Sequence, residues 1–156
     1  MFQSLTQFLD LWREESEHTA KVLTQLTDHS LSQPVAPGYR TLGQVAWHVA
    51  GSIGDMAALA GLRVEAPNDK LPPPKTAAEI VAHYRHAAHG LSQAIVAHWT
   101  DDSLRRDDDV YGRRWPRAYT LWILLAHQVH HRGQMTVLMR QAGLPVPAVY
   151  GPSKRV

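Results

Sequence analysis

This sequence predicts an all-α fold: a four-helix bundle with a long crossover between its second and third helices. Three features carry that expectation. Apolar residues recur at helical spacing in four long stretches. Ser/Thr-x-x-Gln/Glu pairs, the capping-box pattern, stand in front of three of them. Proline- and glycine-rich segments separate the stretches. At 156 residues the whole chain, 1–156, reads as one domain with one core, and residues 144–156 form an extended tail.

The first helix runs from about Ser4 to Asp28, with Leu5, Phe8, Leu9, Trp12, Thr19, Val22, Leu23 and Leu26 at helical spacing and Ser4 with Gln7 as its capping pair. A loop with Pro34, Pro37 and Gly38 follows. Thr41 with Gln44 opens the second helix, whose stripe includes Leu42, Val45, Val49, Ile53 and Ala60, and Gly61 caps its end. Residues 62–75, with Pro67 and Pro72 to Pro74, are the crossover, and a connection of that length lets the next helix start at either end of the bundle. Thr76 with Glu79 opens the third helix, which ends near Trp99. Within the polar stretch 101–117, a short hairpin is expected around Tyr111-Gly112. The fourth helix spans about Tyr119 to Ala142 and is stopped by Gly143 and Pro145. Its start is apolar on nearly all sides, so it is expected to be the most buried of the four.

Hydrophobic residues make up 44% and charged residues 19%, the balance of an ordinary globular chain. The longest apolar run, Leu121 to Ala126, is far too short to cross a bilayer, and Met1 to Asp10 lack the pattern of a signal peptide, so a cytoplasmic location is expected. With no cysteine there is no disulfide, thiolate metal site or cysteine nucleophile; any thiol chemistry must use the sulfur of a small molecule. The formal charge of +2 comes without a basic run, which argues against nucleic acid as a partner.

Ten histidines are the compositional oddity. His127 and His131 sit four apart on the last helix, about 40° apart on one face, a spacing at which two imidazoles can meet one ion. Two half-buried histidines hydrogen-bonded locally would give the same spacing. His48 lies on the flank of the second helix's stripe, where bundles build metal sites between helices, and Gln44, Ser52 and Asp55 share that flank. Three neutral imidazoles suit zinc, nickel or another late divalent metal and leave one coordination position open. Gln44, Gln134 and Asp55 are the candidates to orient the rings from behind. His130, about 100° from His131, is read as structural or surface, and His83, His86 and His89 spiral around their helix as a solvated face. His18, His29 and His98 have no evident partners.

The run His127-Gln128-Val129-His130-His131-Arg132-Gly133-Gln134, an HxxxHRGQ pattern, resembles the signature of DinB-like proteins, damage-inducible bacterial four-helix bundles related to thiol S-transferases that use bacillithiol or mycothiol. Trp122, the stretch Ala46-Trp47-His48 and the tail from Gly143-Leu144-Pro145 to Tyr150-Gly151-Pro152 are also similar. The resemblance implies a metal held by His48, His127 and His131, an unusual bundle connectivity and a homodimer. It leaves the reaction open.

Three functions fit. In the first, the metal holds a low-molecular-weight thiol as thiolate for attack on an electrophile. Arg113 and Arg114, with Arg117, would supply a positive rim for the thiol's carboxylates, although pairing with Asp107 to Asp109 is the better reading of these arginines. In the second, a hydrolase, the metal generates hydroxide with Asp55 as general base. In the third, the protein is a non-catalytic metal-binding stress-response module, with Trp99, Trp115 and Tyr150 as interface or core aromatics. Within the signature, Arg132 is expected to bridge to a neighbouring helix, and Gly133 to permit a close helix approach.

Overall fold

The computed structural model describes residues 1–151. It has four long helices, α1 (Leu5–Leu23), α2 (Leu42–Leu59), α3 (Ala77–His98) and α4 (Arg117–Gln141), and one antiparallel hairpin, β1 (Asp107–Val110) with β2 (Arg113–Pro116). Short 3₁₀ turns lie at His29–Ser32 and Asp101–Arg105. Among the described residues, no helix is long and apolar enough to cross a membrane.

The capping pairs start three helices as expected. Ser4, Thr41 and Thr76 each accept a hydrogen bond from the backbone N–H three residues on. At Thr41 the box is reciprocal, since the Gln44 Oε1 accepts from the Thr41 N–H at 2.8 Å. The first helix ends at Leu23, earlier than Asp28, because the chain tightens into 3₁₀-type bonds from Gln25 and Leu26 to Val22 and Leu23. Asp28 instead accepts from the Ala77 N–H at 2.8 Å and ties this turn to the start of α3. The hairpin turns at Tyr111-Gly112, both with positive φ (54° and 76°), the requirement of a type I′ turn between right-twisted strands.

Contacts give each helix its direction. Gln128 of α4 donates to the Val49 carbonyl of α2, and Arg117 at the start of α4 approaches Gly61 beyond the end of α2, so these two run antiparallel. The Trp12 indole of α1 donates to the Ala88 carbonyl of α3, while Arg85 of α3 pairs with Glu17 of α1, so these are antiparallel too. The Trp47 ring of α2 meets His83 of α3 edge-on, and Val64 of the crossover touches both Gly54 and Gly90, so α2 and α3 run parallel. The order is up-down-down-up, with α1 and α2 on opposite corners.

Burial corrects one expectation. Eleven of the 18 residues of α2 are buried, against 11 of 25 in α4, so α2 is the central helix. α4 packs on α1 and α2 with one face and leaves Trp122, Val129 and Val137 exposed. Gly133 is corrected as well. A Cβ there would meet nothing within 4 Å, so it permits no close approach within this chain.

Arg132 does bridge helices. It is 3% exposed, pairs with the buried Glu15 of α1, and donates to the Glu15 carbonyl and to Thr19 Oγ1 at 3.0 Å each. The Tyr150 hydroxyl of the tail joins the same pair, and His18 packs edge-on against its ring. Burial would raise the Glu15 carboxyl, but hydrogen bonds from Tyr150 and Arg132 hold it below its ordinary value. Removing one partner of a buried ion pair strands the other. Arg132→Leu is therefore expected to lower the unfolding free energy by about 3–5 kcal/mol, and Glu15→Leu in the same chain to recover much of it, read from urea melts of the two variants. Equal destabilisation by the single and double variants would show that packing, not charge, is lost.

Candidate metal centre

Two antiparallel helices bring the three histidines together. The α2–α4 contact at Val49 and Gln128 sets His48 opposite His127, and one helical turn adds His131. The Nε2 atoms of His48 and His131 each lie 3.1 Å from the Nε2 of His127, and one ring nitrogen from each residue falls within 4.8 Å of the others. Nitrogens about 2.0–2.1 Å from a tetrahedral ion sit about 3.3 Å apart, so this donor set fits a late divalent metal.

The rings are oriented unequally. His48 Nδ1 is bonded to the carboxylate of Asp69, and His131 Nδ1 lies 2.7 Å from Gln134 Oε1. His127 Nδ1 is buried without a partner among the described residues. Burial, then the neighbouring His131 and His48, push the His127 ring down to about 4. His131 is lowered by burial and by His48, against its hydrogen bond to the Gln134 Oε1, which raises it. Neutral imidazoles are the form that metal binding requires.

Asp69 comes from the crossover, and α2 is shaped to admit it. A Cβ on Gly51 would fall 2.8 Å from the Pro67 carbonyl and 2.9 Å from Asp69 Cβ, and one on Gly54 would fall 2.7 Å from Ala66 Cβ. These two glycines let the chain lie directly on the helix beside His48. The orienting role assigned to Asp55 from helical angle falls to Asp69: Asp55 is exposed and lines a separate cleft with Asn68 and Lys70. Helical angle missed Asp69 because a loop residue has no helical period. The Gly51/Gly54 pair facing a long connection was the available signal. Gln44 makes no bond to a histidine, since its side-chain oxygen closes the Thr41 cap.

Arg113 and Arg114 are exposed on β2 and line neither cleft beside the triad. The hairpin stands at the first turn of α4, and His127 lies ten residues, about 15 Å, further along. Arg117 is buried and holds Asp108 with two bonds, of 2.8 and 3.2 Å, while stacking on Trp99. The cations beside the triad are Arg40, from the loop before α2, and Lys70, from the crossover, which composition and periodicity did not single out. His130 is exposed and meets Gln134 at 3.1 Å, and His83, His86 and His89 are all exposed. A larger cleft of about 630 Å³ between α1 and α3 has its charges paired internally, through Arg85 and Glu17.

Two outcomes follow for the centre. Asp69→Ala should weaken metal binding by about 10–100-fold in a competition titration, and Gly51→Val should do the same by displacing the crossover; unchanged affinity in both would remove Asp69 from the site. The second concerns pH. His127 titrates near 6.5 when unfolded and near 4 when folded, so the unfolded chain binds the extra proton first. The stability this contributes is complete above pH 6.5 and is lost as pH falls towards 4. The Tm of metal-free protein should drop over that window, and His127→Gln should flatten the slope.

The model of the DinB family matches residues 1–155. The uncharacterized Bacillus subtilis protein YrdA is 44% identical over 154 residues, 99% of this chain and 92% of the relative. The crystal structure of a DinB-like protein from Bacillus cereus superposes with a TM-score of 0.93 at 46% identity, over 96% of this chain and 100% of that one. A mycothiol-dependent maleylpyruvate isomerase shares the fold alone, with a TM-score of 0.53 and 19% identity over 84% of this chain and 60% of its own. The histidine pair, the helix order and these matches agree, and the chain belongs to the DinB family.

Proposed function

We propose that His48, His127 and His131 hold one divalent metal, with zinc and nickel the best fits to three imidazoles, and that the protein is a thiol S-transferase. The observation that carries the reading is the convergence of three Nε2 atoms at the meeting point of two open clefts. One cleft is lined by His48 and the other by His131. Three protein donors leave a position for a small ligand, the pattern of a reactive site. The fold shared with a mycothiol-dependent enzyme is a further, weaker support.

When bound, such a metal supplies Lewis acidity that keeps a small-molecule thiol deprotonated near neutral pH. The chain's own residues do the rest. Asp69 accepts the Nδ1–H of His48, which fixes that ring's tautomer and raises the basicity of its Nε2. Gln134 does the same for His131. The thiolate sulfur attacks the electrophilic carbon; the C–S bond forms as the leaving group departs with its electron pair, and the thiol proton goes to solvent water through the cleft. Hydrolysis is less well supported, because the carboxylate nearest the triad, Asp69, is already committed to His48 and Asp55 lies in another cleft.

The deciding experiment loads purified protein with zinc or nickel. Consumption of glutathione, bacillithiol and mycothiol is then followed with a chromogenic electrophile, with and without chelator. Metal-dependent turnover with one of them is expected. His131→Ala should abolish it, with a loss of metal affinity larger than the about 10–100-fold that an outer partner costs. Bound metal with no thiol consumed would instead favour hydrolysis or a non-catalytic metal module.

A further inference from the structure

The two clefts that meet at the triad differ in chemistry. The first lies between the start of α2 and the crossover and encloses about 280 Å³. Its walls carry the cations Arg40 and Lys70 beside Gln44 and Trp47. The acid in this wall, Asp69, has its carboxylate occupied by His48. The cleft therefore offers two cations, with little acceptor capacity left over.

The second lies between α2 and the last turns of α4 and encloses about 380 Å³. Val35, Val45, Val137 and Leu138 dominate its wall, and its one side-chain amide, Gln134, is already bonded to His131 and His130. Arg40 stands at the border of both clefts. Each volume is near the lower end of the range for small-molecule sites, so each suits one small reactant.

Building on the thiol-transfer reading, we propose that the two clefts divide the reactants. The crossover cleft is a carboxylate subsite that takes an anionic thiol through Arg40 and Lys70. The apolar groove takes the electrophile. A guanidinium and an ammonium flanking a cleft give a carboxylate charge-assisted hydrogen bonds, which a neutral sugar thiol cannot make. An apolar electrophile gains from burial against valine and leucine, where a carboxylate would lose its hydration without a partner. Lys70, which lines the crossover cleft and not the groove, sets which of the two clefts the anion occupies.

The probes are thioethers, which report binding without turnover: S-methylated bacillithiol, with two carboxylates, and S-methylated mycothiol, with none. Calorimetry on metal-loaded protein is expected to show the first binding at least about tenfold tighter than the second. Arg40→Met and Lys70→Met should each cost roughly tenfold on the first and leave the second unchanged, with metal stoichiometry intact. Val137→Asp, at an exposed position, should raise the KM for an apolar electrophile severalfold without moving the Kd of the thioether. Equal binding of the two thioethers, or charge-removing variants without effect, overturns the subsite even if thiol turnover persists. A carboxylate-selective, Lys70-dependent Kd in a protein that consumes no thiol keeps the subsite and overturns the transferase reading. A shift of thioether Kd by Val137→Asp overturns the division as drawn and reverses the two clefts.

Discussion

Two neighbouring helices that run parallel need a connection that travels the length of the bundle, and much of this structure follows from that constraint. α2 ends at one pole and α3 starts at the other, so residues 60–76 must return along the side of α2. Eighteen helical residues span about 27 Å, which eight to ten extended residues can cover. Pro67 and Pro72 to Pro74 favour that extended path and remove backbone donors that would otherwise lack partners along it. The returning chain cannot lie beside an ordinary helix surface without clashing. It settles where Gly51 and Gly54 leave the helix bare, and there it places Asp69 against His48. The crossover is thus a topological necessity that also supplies the partner of one candidate ligand and one wall of a cleft.

The opposite side of the triad is held by a polar network inside the core. Gln128, fully buried, accepts from the Tyr84 hydroxyl and donates to the Val49 carbonyl. It follows His127 in sequence, and Val49 follows His48, so one amide ties together the two backbones that carry facing ligands. Burial pushes the Tyr84 hydroxyl well above its ordinary value, which keeps it neutral and available as that donor. Arg132, one residue beyond His131, anchors the next turn of α4 to Glu15 and Thr19 of α1. Each ligand on α4 therefore has a buried polar neighbour that fixes the helix against another helix. Sites need such support to hold rings within a fraction of an ångström.

What the sequence made legible was what has a local or periodic cause. The capping pairs at Ser4, Thr41 and Thr76, the hairpin at Tyr111-Gly112 and the four-residue step from His127 to His131 depend on neighbours in the chain, and all lie where spacing placed them. His48 was reachable because a flank position on an amphipathic helix predicts a groove. Asp69, Arg40 and Lys70 were not, since each sits in a connection whose path is set by packing at a distance. The misplacements have the same origin. Asp55 and Gln44 share a helical flank with His48, yet angle around an axis does not say what lies opposite, and the crossover and the Thr41 cap decide that. Arg113 and Arg114 precede α4 in sequence, but their hairpin stands at its first turn, and His127 lies ten residues, about 15 Å, further along the helix. The early apolar run of α4 was read as all-round burial. In the structure it has one buried face and one open face, on which Trp122, Val129, Gly133 and Val137 fall.

The three rings of the triad crowd one another in a specific way. Three imidazole nitrogens face one another at about van der Waals range with no proton that satisfies all of them. A proton placed among them meets burial and two neighbouring rings, which is why His127 is pushed down to about 4 and stays neutral at pH 7. With its Nε2 turned to the centre, His127 keeps its proton on Nδ1, where it has no acceptor among the described residues. A buried donor left unpaired costs about 1–3 kcal/mol. Paired polar groups and separated like atoms, rules kept through most of the described residues, both fail at this point, and such failures concentrate at functional sites. A divalent cation bound by the three Nε2 atoms would relieve the crowding, because it would accept all three lone pairs at once and bind only the folded arrangement.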